Sequence, residues 1–114
     1  MCGIIGLVAS EIDAISFQSG LNSLKHRGPD YTGHFNDALD ECQISFGHTR
    51  LSIIDLSDAG NQPMHSGNIS MVYNGEVYNF KELREKYLQD CKFKSSSDSE
   101  VLLHLYSKLG PAFV

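Results

Sequence analysis

Tryptophan is missing from this chain of 114 residues, proline occurs three times, and the three cysteines are too far apart to pair locally. Each shortage excludes something. Cys2, Cys42 and Cys91 are odd in number and form no CxxC, so neither a metal site nor a disulfide framework is expected, and a reducing cytoplasm is the simplest home. Nine basic residues face fourteen acidic ones for a formal charge of −5, and the basic residues do not cluster. That balance argues against nucleic acid or an anionic membrane as the main partner. Long apolar runs are also missing. Ile4-Ile5-Gly6-Leu7-Val8 is too short to span a bilayer and lacks the basic leader of a signal peptide. Position 2 is not glycine, so the myristoylation signal fails too. What remains is an ordinary composition, 41% hydrophobic, sized for one domain.

Periodicity places the elements. Gly3 and Gly6 bracket a run to Val8 that reads as a buried strand. Ala14, Phe17, Leu21 and Leu24 recur at spacings of three and four, predicting a helix over 14–25 that ends before Gly28-Pro29. Ile44 to Ile54 reads as one or two strands and Ile69 to Tyr73 as another, with Asn74-Gly75 as a turn signal. Asn79 with Glu82 opens a second helix burying Phe80, Leu83 and Tyr87. Ser97 with Glu100 forms a capping box for a third, carrying Leu102, Leu105 and Leu109, which Gly110 and Pro111 end.

The residue that carries chemistry is Cys2. Once Met1 is removed, it holds a thiol and a free α-amine together. The amine has an ordinary pKa of about 7.7–8.0, so a usable fraction is neutral at pH 7 and can act as the base a thiol nucleophile needs. Three polar groups suit a ligand for that nucleophile. Arg50, in Gly47-His48-Thr49-Arg50, can grip a carboxylate with paired hydrogen bonds. Asn74 and Gly75 offer two donors for one oxyanion, the alternative being an ordinary hairpin turn. Asp98, in Ser97-Asp98-Ser99-Glu100, suits an ammonium group, though acids at a helix start are favoured by the helix dipole without any function. Together these groups describe an amino acid with a reactive side-chain amide, asparagine or glutamine.

The same residues carry a family resemblance. Met1-Cys2-Gly3-Ile4, His26-Arg27-Gly28-Pro29-Asp30, Gly47-His48-Thr49-Arg50-Leu51-Ser52-Ile53-Ile54-Asp55-Leu56, Asn61-Gln62-Pro63-Met64, Tyr73-Asn74-Gly75-Glu76-Val77-Tyr78-Asn79 and Asp98-Ser99-Glu100-Val101-Leu102 resemble, in order, the class II glutamine amidotransferases of the N-terminal-nucleophile hydrolase superfamily. The stretch after Arg50 is similar to the asparagine synthetase branch; sugar-phosphate amidotransferases typically continue with Trp-Ala-Thr-His.

The resemblance implies an α+β fold, a four-layer αββα sandwich, here incomplete at the C-terminus. Residues 1–114 would be the N-terminal portion of a glutaminase domain. It implies Cys2 as nucleophile forming a γ-glutamyl thioester, Asn74 and Gly75 as oxyanion donors, and Arg50 on the substrate α-carboxylate. Asp98 and Glu76 would hold the α-amino group, and the backbone of Leu51, Ser52, Ile53 and Ile54 would line the pocket. His26 to Asp30 would brace the site, and His26 and His48 would be structural. No cofactor or metal is implied for this chain. ATP and magnesium would belong to a synthetase domain absent from it. The implied partners are glutamine and either the missing C-terminal half or a second copy. The alternative is a non-catalytic remnant or a partner-dependent interaction module.

Overall fold

The computed structural model describes residues 1–53 and 55–113. Strand β1 (Gly3–Ala9) leads into helix α1 (Ala14–Ser23), a 3₁₀ turn at Lys25–Arg27, and a long hairpin of β2 (Tyr31–Leu39) and β3 (Cys42–Arg50). A short hairpin, β4 (Met64–Ser66) and β5 (Ile69–Met71), precedes helices α2 (Phe80–Tyr87) and α3 (Asp98–Leu109). β3 is central in an antiparallel sheet ordered β1-β3-β2, and β4 and β5 form their own sheet. Helices with antiparallel strands make a mixed architecture in keeping with the α+β class.

Register decides which side chains reach which face. Tyr31 pairs with Arg50, Gly33 with His48 and Phe35 with Phe46, so His48 and Arg50 share a face with Phe35. The opposite face, with Gly47 and Thr49, receives α1. A Cβ at Gly47 would meet Leu21 Cδ1 at 2.8 Å, and Thr49 Oγ1 donates to the Leu24 carbonyl at 3.0 Å. On the His48 face the short hairpin lies against the sheet, with the Phe35 and His65 rings 4.8 Å apart. Helix α3 packs in turn on β4 and β5.

Helix α1 starts where Asp13 accepts the Ser16 N–H at 2.9 Å. It stops at Ser23, short of the predicted Lys25, and tightens into the 3₁₀ turn before Gly28-Pro29. Phe17 and Leu21 are its buried residues.

Several expectations are corrected. β1 is an edge strand rather than a buried one: Ile4, Leu7 and Val8 are 46, 42 and 66% exposed, because β3 flanks it on one side only. The region 44–54 supplies the single strand β3, whose partner β2 was missed. Thr32-Gly33-His34 and Asn36-Asp37 carry little of the β-branched, alternating pattern that signals a strand, and only pairing with β3 makes one. The β2–β3 turn uses Asp40 at φ 54°. Asn74-Gly75 is no hairpin: among the described residues no strand follows it, and neither residue has the positive φ that an Asn-Gly hairpin turn needs.

Helix α2 has no fully buried residue, and Asn79 makes no side-chain cap. Leu88, just past its end, is buried instead, against Val101 and Leu105. Helix α3 does start at Ser97, whose Oγ accepts from Ser99 N. Glu100 does not return the bond that would complete the capping box; its carboxylate takes the N–H groups of Lys94 and Ser95 at 2.8 and 2.7 Å. The buried apolar residues of α3 are Val101, Leu103 and Leu105, while Leu109 is 45% exposed. Gly110 ends it at φ 68°, as predicted.

Candidate active site

A cavity of about 350 Å³ opens where the N-terminus, the end of β3, the chain after β5 and the start of α3 converge. Cys2, Arg50, Leu51, Ile53, Asn74, Gly75, Glu76 and Asp98 all line it. Ser52 does not; its N–H donates to Asp30 Oδ2 at 2.7 Å. Ile54 lies outside the described residues. Residues up to 96 positions apart in the chain thus reach one space.

Cys2 arrives there because Gly3 pairs with Thr49, which sets Cys2 beside the end of β3. Its Sγ accepts the Leu51 N–H at 3.3 Å and lies 3.7 Å from the Leu51 carbonyl. The loop 26–30 holds this arrangement from outside: Arg27 Nε donates to the Cys2 carbonyl at 3.0 Å, and Asp30 N–H donates to the Arg50 carbonyl at 3.0 Å.

Arg50 is buried, and much of its donor capacity is already engaged. Nη1 donates to the Ser57 carbonyl at 2.7 Å and to Asn61 Oδ1 at 2.6 Å, and Nη2 donates to the Asp55 carbonyl. A guanidinium has five N–H donors, so Nε–H and one Nη2 hydrogen are uncommitted among the described residues. Gly60 permits this packing, since a Cβ there would lie 2.3 Å from Nη2.

Asn74 and Gly75 follow a pinned Tyr73. The Tyr73 N–H donates to Gln62 Oε1 at 2.6 Å, and the other end of that amide, Nε2, donates to Ser99 Oγ at 3.3 Å. The Tyr73 ring folds over Gly75 so closely that a Cβ at 75 would lie 2.4 Å from its hydroxyl. Burial, with Asp98 and Glu76 nearby, raises the Tyr73 pKa, so the phenol stays protonated. Asp98 is itself buried at the first turn of α3, where Oδ2 accepts the Val77 N–H at 2.8 Å.

His48 sits on the cavity wall, fully buried, and neither ring nitrogen makes a hydrogen bond among the described residues. Burial chiefly, with the Arg50 charge adding to it and the nearby Tyr73 backbone opposing it, lowers its pKa to about 4. The imidazole is therefore neutral at pH 7. Gln62, Tyr73 and Asp55 also belong to the wall, and residue-by-residue reasoning gave none of them a role. Their only signal was membership in motifs whose neighbours attracted the attention.

A second concavity, a groove of about 1250 Å³, runs between α3 and the short hairpin. Leu102, Leu105, Leu109, Met71 and Phe113 line it, and it holds none of the nucleophile, cationic or acidic groups above. The nucleophile, cationic and acidic groups singled out above therefore share the smaller cavity.

Residues 1–114 match the family described as the glutamine amidotransferase domain. The chain belongs to that family. Among its relatives, a protein named putative asparagine synthetase [glutamine-hydrolyzing] 2 from Methanocaldococcus jannaschii is 38% identical, the match covering 96% of this chain and 24% of the relative. Asparagine synthetase B [glutamine-hydrolyzing] of Escherichia coli (strain K12) is also 38% identical, over 100% of this chain and 21% of its own length. Amidase chry2 of Gibberella zeae is 39% identical over 85% of this chain and 14% of the relative. The amidotransferase chain thus spans a quarter or less of the length of these relatives, matching two named for glutamine hydrolysis and one named as an amidase.

Proposed function

We propose that the small cavity is a glutaminase site, in which Cys2 releases ammonia from the side-chain amide of glutamine. The observation that carries this reading is the Cys2 sulfur, held by the Leu51 N–H at 3.3 Å in the cavity shared by Arg50, Asn74, Gly75 and Asp98.

With Met1 removed, the α-amine of Cys2 takes the thiol proton as sulfur attacks the amide carbon. The Asn74 side-chain amide and the Gly75 N–H then stabilise the oxyanion. Collapse of this intermediate breaks the C–N bond; the amine returns its proton to the leaving nitrogen, and a γ-glutamyl thioester remains for water to hydrolyse. Arg50 takes the α-carboxylate with its remaining Nε–H and Nη2–H. Asp98, with Glu76, takes the α-ammonium. Leu51 and Ile53 line the pocket, and His48 is a structural wall residue.

The succession of α1, the three-stranded sheet, the short hairpin and α3 supports an αββα layering of the N-terminal-nucleophile type. We read residues 1–114 as the N-terminal portion of a glutaminase domain, with the ammonia acceptor, ATP and magnesium belonging to a synthetase domain outside this chain. Asparagine formation is the corresponding role. A free Cys2 thiol suits a reducing compartment, the cytoplasm.

The test is the intact mass of the purified full chain before and after exposure to a glutamine-like diazoketone. Loss of Met1 with one adduct, blocked by glutamine and absent in Cys2→Ala, is the expected result. A chain that keeps Met1, or loses it and stays unlabelled, overturns the reading in favour of a non-catalytic remnant or interaction module.

A further inference from the structure

We propose that Asp55 is a positioning residue that holds Arg50 and Asp98 at a fixed separation, and so makes the cavity selective for substrates carrying both a free α-carboxylate and a free α-ammonium. This rests on the glutaminase reading above and names the device behind its substrate choice.

Asp55 touches both arms of the recognition apparatus. Its main-chain carbonyl accepts from Arg50 Nη2. Its side-chain Oδ1 accepts the Ser57 N–H at 2.8 Å and the Ser57 hydroxyl at 2.6 Å, folding the turn so that the Ser57 carbonyl meets Arg50 Nη1 at 2.7 Å. The other oxygen, Oδ2, reaches across the fold. It accepts the Ser96 N–H at 2.8 Å and the Ser96 hydroxyl at 3.2 Å. Ser96 stands two residues before Asp98 and directly precedes the N-cap Ser97. One carboxylate therefore ties the turn that grips the guanidinium to the segment that presents the acid.

Its own chemistry excludes a direct role. Asp55 borders the cavity and looks like a third acid for an ammonium group. A carboxylate offers about four lone-pair sites, and Ser57 and Ser96 occupy all four. These hydrogen bonds, from the Ser57 side chain first and then the Ser57 and Ser96 backbones, lower its pKa to about 2. It stays ionised at assay pH and has no capacity left for substrate. Tethering is what remains.

Asp55→Asn tests the tether. An amide has one acceptor oxygen, and whichever way it turns its NH₂ faces the N–H of Ser57 or of Ser96, donor against donor. Two electrophiles separate recognition from reactivity at Cys2. A glutamine-like diazoketone carries both α-groups; iodoacetamide carries neither. In the full chain, Asp55→Asn is expected to slow diazoketone labelling by about 10-fold or more, mainly through a higher half-saturating concentration, with iodoacetamide alkylation of Cys2 changed by less than about twofold. Ser57→Ala and Ser96→Ala each remove one hydroxyl and keep the backbone donors, so a loss of about threefold, again confined to the diazoketone, is expected if Asp55→Asn folds poorly. Equal losses with both reagents, or no loss with either, overturn the role of Asp55 alone. A wild-type chain that iodoacetamide alkylates and the diazoketone does not overturns the glutaminase reading itself.

Discussion

The wall of the small cavity and the groove beside α3 are held together in different ways. In the wall, side chains bond to distant backbone: Arg50 to the carbonyls of Asp55 and Ser57, Gln62 to Tyr73 N, and Asp55 to Ser96 N. In the groove, Leu102, Leu109, Met71 and Phe113 present apolar side chains. Hydrogen bonds fix distance and angle, whereas apolar contact rewards area and shape. The wall is therefore specified in distance and angle by its own polar ties. The groove is specified only as a surface to be covered.

Three perturbations break or sharpen that contrast. The largest effect is expected at Asn74. Asn74→Ala should lower kcat by about 10²–10³ with little change in KM, because an oxyanion donor acts mainly in the transition state. Steady-state ammonia release checks it, and an equal rise in KM would show that Asn74 binds ground state instead.

Next comes His48, a wall residue whose two ring nitrogens are buried and unpartnered among the described residues. Its folded pKa of about 4 lies below the ordinary 6.5. The unfolded chain thus binds the extra proton first, and stability present above pH 6.5 is lost as pH falls toward 4. The loss reaches on the order of 3 kcal/mol for this group. Denaturant unfolding across that range measures it, and His48→Gln should flatten the slope. The carboxylate of Asp55 contributes in a lower window, its stabilisation lost as pH falls through about 2. The two ranges are separable.

The smallest effect belongs to the groove. Leu109→Gln, at a position 45% exposed, should change unfolding free energy by no more than about 0.5 kcal/mol. A loss of 2 kcal/mol or more would mean that the groove is packed as tightly as the wall.

Legibility followed the same divide. Cys2, Arg50, Asn74, Gly75 and Asp98 could be singled out by residue type, and all five line one cavity. The start of α3 at Ser97 and its stop at Gly110 were readable because caps are local. The strand Tyr31–Leu39 was not, since its pairing with Cys42–Arg50 overrides a weak local pattern. Nor was the exposure of β1, because being an edge depends on the order of strands. The burial of Val101 and Leu103 rather than Leu109 depends on where α2 and the short hairpin meet α3.

The amino-acid sequence by itself determined which candidate groups this amidotransferase domain carries: a cysteine at position 2, a guanidinium, an Asn-Gly pair and an acid at a helix start. Tertiary structure alone decided how they are held. Which donors Arg50 keeps free, why His48 is neutral and why Asp55 is saturated all follow from contacts with partners elsewhere in the chain, up to 41 positions away for Asp55. The reason is physical: reactivity is carried by the covalent side chain, whereas a hydrogen bond or a desolvated charge exists only once the folded path brings its partners together.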